Sequence, residues 1–346
     1  MAEQSQSVTG ADAQPAVNLP PESAELKGSL RSALPFVLIA LALYAGIYVA
    51  TELLIARHAL RNRFYMVKTA PHIRYDYVIL GASHAVVLDN RDMNARLEQI
   101  SGATILNLST VGGGITVNRL LLDYFLAAHQ TASVVHVLDS FPFYSRQWNE
   151  ERLRDAKLFQ RAPWDPTLAW LLVRKAAIRP LALDYTVALD YILGFSKINN
   201  PDRFAPDLHD QEGPRFERVY RPVEQIDRQR IAYLYPKNIE ETSLRDNPYL
   251  AEFEGLIGDL QERNIRFVVI RPPIPERIYR MIPNERQFDA ALKALLERHG
   301  VELHDFSAVN NDPRFFFDSD HLNQAGVLSF FENHLKDVLT PGGGSE

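Results

Sequence analysis

The sequence contains no cysteine. Disulfides and cysteine-based metal centres are therefore excluded, and the composition fits an oxidising compartment. A positive excess is also missing: the net charge is -6, which gives no electrostatic reason to expect nucleic acid. No internal repeat is found. Asp89, Asp92 and Asp139 fall near strand ends, but no His–carboxylate spacing accompanies them, so no metal is expected. No cofactor is expected either. What is present is enough apolar material for a sizeable core: 46% of 346 residues, a length long for one domain and short for three.

Residues 1–33 are rich in Ala, Gln, Ser, Pro and Glu without apolar periodicity, and are expected to form a disordered cytoplasmic tail. Residues 34–56 then run without a charge until Glu52, about the 20 residues that a bilayer core needs. No small-residue cleavage site follows, so the run is read as a transmembrane signal anchor. Lys27 and Arg31 precede it, while Arg57, Arg61, Arg63 and Lys68 follow it. Charge alone would place the large domain in the cytoplasm.

Beyond the anchor, strands expected at 76–80, 103–108, 133–138, 266–270 and 301–304 alternate with helices at 89–100, 115–128, 249–263, 288–299 and 323–339. Such alternation implies a parallel sheet covered on both faces. Residues 140–247 break the rhythm and are too long for a loop, so they are read as an inserted lid with a helical run over 168–193. Tyr144, Trp148, Trp164 and Trp170 in it offer stacking surface for sugar rings, or simply pack the insertion. Arg271-Pro-Pro-Ile-Pro275 follows the fourth strand and is read as a rigid turn at the pocket edge. The final Gly-Gly-Gly-Ser-Glu346 reads as a flexible tail.

Two stretches carry chemistry. In Tyr75-Asp-Tyr-Val-Ile-Leu-Gly-Ala-Ser-His84 a buried strand ends in Gly81, and Ser83 sits where ligands gather in an open α/β sheet. In Phe317-Asp-Ser-Asp-His-Leu-Asn-Gln-Ala-Gly326, Asp318 and His321 are three apart and share a face if the segment is helical. A serine hydroxyl is a weak nucleophile; it needs a base in reach and donors aimed at the developing oxyanion. Ser83 would attack, His321 would take the proton and Asp318 would orient the imidazole. His84 is read as a pocket wall. Each of the three also has a plain structural reading, such as a helix cap for Ser83 or Asp318.

Gly81-Ala-Ser83-His84, Asn107 with Gly112, and Asp318-Ser-Asp-His321-Leu-Asn323 with Gly326 resemble, in order, the first, second and last blocks of the SGNH (GDSL-type) hydrolases. The resemblance spans about residues 75–335. It implies a flavodoxin-like three-layer α/β/α sandwich over residues 70–340, with catalytic Ser83, Asp318 and His321. It also implies an oxyanion hole built from Ser83 and Gly112. The third block departs: Val137-Leu-Asp-Ser-Phe-Pro142 lacks the expected Asn, which leaves Ser140 as its substitute. One N-terminal anchor, a long insertion and an altered third block are similar to bacterial envelope proteins that O-acylate polymers, the alginate acetylation and D-alanyl transfer proteins among them. That likeness implies an inner-membrane protein with its catalytic domain on the periplasmic or extracellular side, against the charge count. It further implies an acylated polysaccharide substrate and a multispanning membrane acyltransferase as partner. Two other readings stand beside it. One is a non-catalytic SGNH-fold scaffold. The other is an α/β-hydrolase, whose nucleophile elbow wants Gly where residue 85 is Ala.

Overall fold

The structure, a computed structural model, describes residues 22–178, 185–204, 213–236 and 246–339. The C-terminal Gly-Gly-Gly-Ser-Glu346 and most of the expected N-terminal tail lie outside the described residues. Two compact units are present, Met1–Val49 and Ala50–Glu346.

In the first unit the chain is helical from Glu22, so residues 22–33 correct the expected tail: the helix α1 spans Glu22–His58. Ala24, Glu25, Leu26 and Lys27 are good helix formers, which explains the early start. Its apolar part, Ala33–His58, contains an 18-residue window with a mean hydropathy of 2.2 and is long enough to cross a membrane.

The second unit begins inside α1, where Thr51 and Ile55, and Ala59 just past its end, recur every fourth residue and are buried. Helix α2, Arg63–Thr69, follows. The arginines after the apolar run have folding roles. Arg61 donates to the carbonyls of Asp89 (3.0 Å) and Arg91, and buried Arg63 binds the Ser109 carbonyl (2.7 Å) and Asp89.

Five strands form one sheet: β1 Arg74–Gly81, β2 Ile105–Asn107, β3 Gln130–Val137, β4 Arg266–Arg271 and β5 Glu302–Asp305. All pairs are parallel, in the order β2-β1-β3-β4-β5. Strand pleating divides the apolar side chains between two cores. Val78, Leu80, Val134 and Val269 join the core that includes helix α5, Ile115–Leu126, and the helices Pro248–Glu262 and Glu285–Arg298. Tyr77, Ile79, Val135, Val268 and Ile270 join the other, with Leu97 and with Val327 and Phe330 of helix Gln324–Phe330. β1 and β3 are central, buried on both faces, and read as continuous apolar runs for that reason.

The insertion is less a lid than a second layer of core. The expected run over 168–193 is two helices, α8 Pro166–Ile178 and α9 Tyr185–Leu193. Leu168, Leu172, Ala188 and Tyr191 are buried in the first core. Helix Glu224–Leu234 lies over the motif residues, joined there by Trp148 and Arg215. The closing helix also differs: after Gln324–Phe330 the chain makes a π-helical turn, Phe331–Leu335, before Lys336–Val338.

The chain order moves from β1 outward to β2 and then crosses to β3 on β1's other side. The crevice beyond the ends of β1 and β3 is thus the topological switch point, where open α/β sheets bind ligands. Gly81 pairs with Val137, so Ser83 and Asp139 each leave the sheet two residues past that pair.

Candidate active site

Ser83 opens the four-residue helix α3, Ser83–Val86. Gly81 makes the approach possible. Its φ is 149°, and a Cβ there would stand 2.5 Å from the Val137 carbonyl oxygen. Asn107, at the end of β2, donates to the Ala85 carbonyl (2.9 Å) and accepts from the Ser109 N–H (3.0 Å). It thereby ties the glycine loop to the helix that carries Ser83. Gly112 has φ 64° and lies against Trp148, whose ring a Cβ would meet at 2.9 Å. Ser83, Gly112, Trp148, Arg230, Tyr233 and His321 line one pocket of about 210 Å³. Of the four insertion aromatics, only Trp148 reaches it. Tyr144 packs between Tyr235 and Phe288, and Trp164 and Trp170 are exposed.

Residues 318–321 are not helical, which corrects the expected shared helical face. A tight turn does the same work. The Asp318 carboxylate accepts from the backbone N–H of Asp320 (3.1 Å) and of His321 (2.8 Å). Its Oδ2 takes His321 Nδ1 at 2.8 Å. An ionised carboxylate only accepts, so Nδ1 carries a proton, and in the neutral imidazole Nε2 is the acceptor. Burial and the neighbouring Asp320 push the Asp318 pKa up, yet the charge and hydrogen bonds of His321 hold it below the usual carboxylate range. The rest of the motif is structural. Asn323 Nδ2 donates to the carbonyls of Arg314 (2.7 Å) and Arg218 (3.0 Å), and its Oδ1 caps Gly326 N–H (2.9 Å).

Behind this pair lies a charged group whose members the sequence did not join. His84 Nδ1 contacts Asp139 Oδ1 at 2.7 Å, and Nε2 stands 3.5 Å from Asp320 Oδ2. Arg230 Nε reaches both Asp320 oxygens, at 3.0 and 2.9 Å, and its Nη2 stands 3.4 Å from His321 Nε2. Burial works against charge on His84, yet Asp139 and Asp320 together push it up to about 10. Burial alone would raise Asp320; His321, Arg230 and His84 outweigh it and hold Asp320 well below the carboxylate range. His84 is therefore a buried imidazolium between two carboxylates; it does not line the pocket that holds Ser83 and His321, which corrects the expected wall. The donor atoms of His84, Asp320 and His321 lie within 4.8 Å of one another. A cation there would meet a protonated imidazole and a carboxylate already forked to a guanidinium, so the set suits charge pairing better than metal. Asp320 and His84 sit inside the motifs and were visible by position. Arg230 had no signal, being 90 residues from Asp320 in the chain.

Not every expected group converges. No hydrogen bond joins the Ser83 hydroxyl to His321 among the described residues, although both line the pocket. Ser140 faces elsewhere: its hydroxyl meets Tyr235 OH at 2.6 Å and donates to Glu285. Glu285 is paired in turn with Arg271, which also binds Asp289 at 2.7 Å. Arg271 is thus a buried structural cation rather than a plain turn residue. A larger groove, about 520 Å³, lies among α5, α8 and helix Pro248–Glu262. Ion pairs such as Lys175–Asp123 (2.7 Å) line it, and none of the motif residues does, so chemistry rather than size selects the smaller pocket. Compared with known proteins, the chain matches no protein-family model and no curated protein.

Proposed function

We propose that this protein is a membrane-anchored serine esterase or O-acyltransferase of SGNH type, with a flavodoxin-like three-layer α/β/α sandwich as its catalytic domain. One observation carries the reading: Ser83, Gly112 and His321 line a single pocket at the switch point, with Asp318 on the far nitrogen of His321. The strand order is the one flavodoxin-like folds use.

In this reading Ser83 Oγ attacks the carbonyl carbon of an O-acyl group while its proton passes to His321 Nε2. The negative charge that develops on the carbonyl oxygen is met by the backbone N–H groups of Ser83 and Gly112. The C–O bond to the sugar breaks, and the leaving alkoxide takes the proton from His321. Water or a second sugar hydroxyl then attacks the acyl-serine by the same steps in reverse. The acyl group is expected to be acetyl and the acceptor or donor an envelope or exported polysaccharide, with a multispanning acyltransferase as partner. The domain is placed outside the cytoplasmic membrane. Arg61 and Arg63 are in the sequence for folding, which leaves Arg57 and Lys68 against Lys27 and Arg31 on the other flank. The charge count then favours neither side.

A non-catalytic scaffold is the second reading. It is favoured by the engaged Ser140 hydroxyl and by Arg230 beside the lone pair of His321. A fluorophosphonate probe separates the two. The enzyme labels covalently at Ser83, and labelling is lost in Ser83→Ala. It falls by about six orders of magnitude in rate in His321→Ala, and by about four to five in Asp318→Ala. Absence of labelling in the folded wild-type chain sinks the catalytic reading.

A further inference from the structure

We infer that the exposed apolar surface of helices α8 and α9 and of α10, Phe195–Ile198, rests in the headgroup and upper acyl region of the bilayer that α1 is proposed to cross. The inference rests on that anchor reading and goes beyond it. Helix α9 is mostly apolar, Thr186 and Asp190 being its polar residues. Ala188 and Tyr191 face the core, yet Tyr185, Leu189 and Leu193, every fourth residue, face outward at 54%, 54% and 43% exposure. Phe195 on α10 and Trp170 on α8 are exposed too. A helix with apolar residues on its outer as well as its inner face has a second apolar surround.

Contacts with α1 identify that surround. The same segment is tied to the turn of α1 that leaves the apolar run. Trp164 N–H donates to Glu52 Oε2 (3.0 Å), Lys197 pairs with Glu52, and Arg161 donates to the His58 carbonyl (3.3 Å). Length then fixes the level of the membrane. Thr51, Ile55 and Ala59 are buried in the domain, so lipid has only residues 33–50 to cover. At about 1.5 Å per residue these give roughly 27 Å, close to the roughly 30 Å of a hydrocarbon core. No spacer is left, and the domain edge at Glu52 must meet the interface. Exposed Trp170 and Tyr185 are the residue types that settle there, and the exposed cations Arg57, Lys68 and Arg174 suit anionic headgroups.

The absence of cysteine makes the test clean. Single-cysteine variants Leu189→Cys and Phe195→Cys of the full chain are spin-labelled in nanodiscs of phosphatidylcholine and phosphatidylglycerol. Ile39→Cys in the apolar run and Glu332→Cys, exposed on a helix of the other core, are the reference sites. Collision with oxygen is compared with collision with a water-soluble nickel chelate. At 189 and 195 the oxygen-to-nickel ratio is expected to resemble that at 39 and to exceed that at 332 about tenfold. Nickel access at 189 and 195 equal to that at 332, with 39 still in lipid, overturns the docking. Shielding from both reagents overturns it in favour of a protein contact. Nickel access at 39 as well overturns the anchor reading and the docking with it.

Discussion

His84 contributes to stability through its charge, and that contribution depends on pH. Its folded-state pKa is about 10, against 6.5 for the free side chain. A group whose pKa rises on folding stabilises fully below its unfolded value and loses that contribution as pH climbs through the folded one. Asp320 works in the opposite sense. Its carboxyl is held down, so its contribution is present above 3.8 and is lost as pH falls below that. Together the two place the stability plateau between 3.8 and 6.5, with a decline toward about 10. Urea midpoints measured across the alkaline range should therefore fall in the wild type. In His84→Gln the fall should be shallower, because the variant has no proton to lose there. Equal slopes in the two proteins would show that His84 is not the buried imidazolium described. The same residue shows where sequence reading stopped. Its place beside Ser83 was legible, but its charge depends on Asp139 and Asp320, 55 and 236 positions away, and nothing local encodes that pairing.

At the level of elements, the two glycines Gly326 and Gly258 separate motif from scaffold. A Cβ at Gly326 would stand 2.2 Å from the Phe315 carbonyl oxygen and 2.9 Å from Leu322 Cδ2. Backbone cannot yield cheaply at that distance, and the displaced segment is the one that Asn323 clamps below His321. Gly326→Ala is expected to cost about 1–3 kcal/mol in chemical denaturation. It should also lower probe labelling at Ser83 beyond what the fraction unfolded explains. Gly258, within helix Pro248–Glu262, has nothing within 4 Å of its Cβ position. Gly258→Ala should instead stabilise by about 0.5–1 kcal/mol and leave labelling unchanged. Identical effects of the two would mean that the Asp318–His321 turn is not held from below. The strands were legible because β1 and β3 are buried on both faces and their apolar runs are bounded by turn residues. The π-helical turn Phe331–Leu335 was not legible, since its residues have ordinary helical periodicity and only the packing around Phe331 and Leu335 decides the register. The insertion was legible as an interruption. Its division between core and pocket was not, because a local pattern marks Leu168 as apolar and Arg230 as charged without saying that one packs into the first core and the other reaches Asp320.

At the scale of the whole molecule, the boundary between the two units falls inside one helix. The first unit ends at Val49, whereas α1 continues to His58. The last turns belong to the domain for two physical reasons. Thr51, Ile55 and Ala59 bury an apolar stripe, and Glu52 neutralises Lys197, whose side chain is only 2% exposed. Burial pulls the Lys197 pKa down, and Glu52 is the largest influence opposing it. Two truncations should therefore differ sharply. A chain starting at residue 50 keeps Glu52 and the stripe, and should be soluble, folded and as reactive toward the fluorophosphonate probe as the full protein. A chain starting at residue 59 loses the carboxylate and leaves a buried ammonium without its counter-charge, at a cost of about 3 kcal/mol. The loss of Ile55 adds to this, about another 2 kcal/mol for a buried aliphatic side chain. Together these reach the lower part of the range of total stabilities for domains. The shorter chain should thus unfold at markedly lower urea concentration or fail to accumulate. Glu52→Gln in the longer chain isolates the charge: it should reproduce the first part of the loss while keeping the stripe intact. Equal stability of the two truncations would mean that the domain begins after α1 and that the contacts made by Glu52 carry no weight in folding.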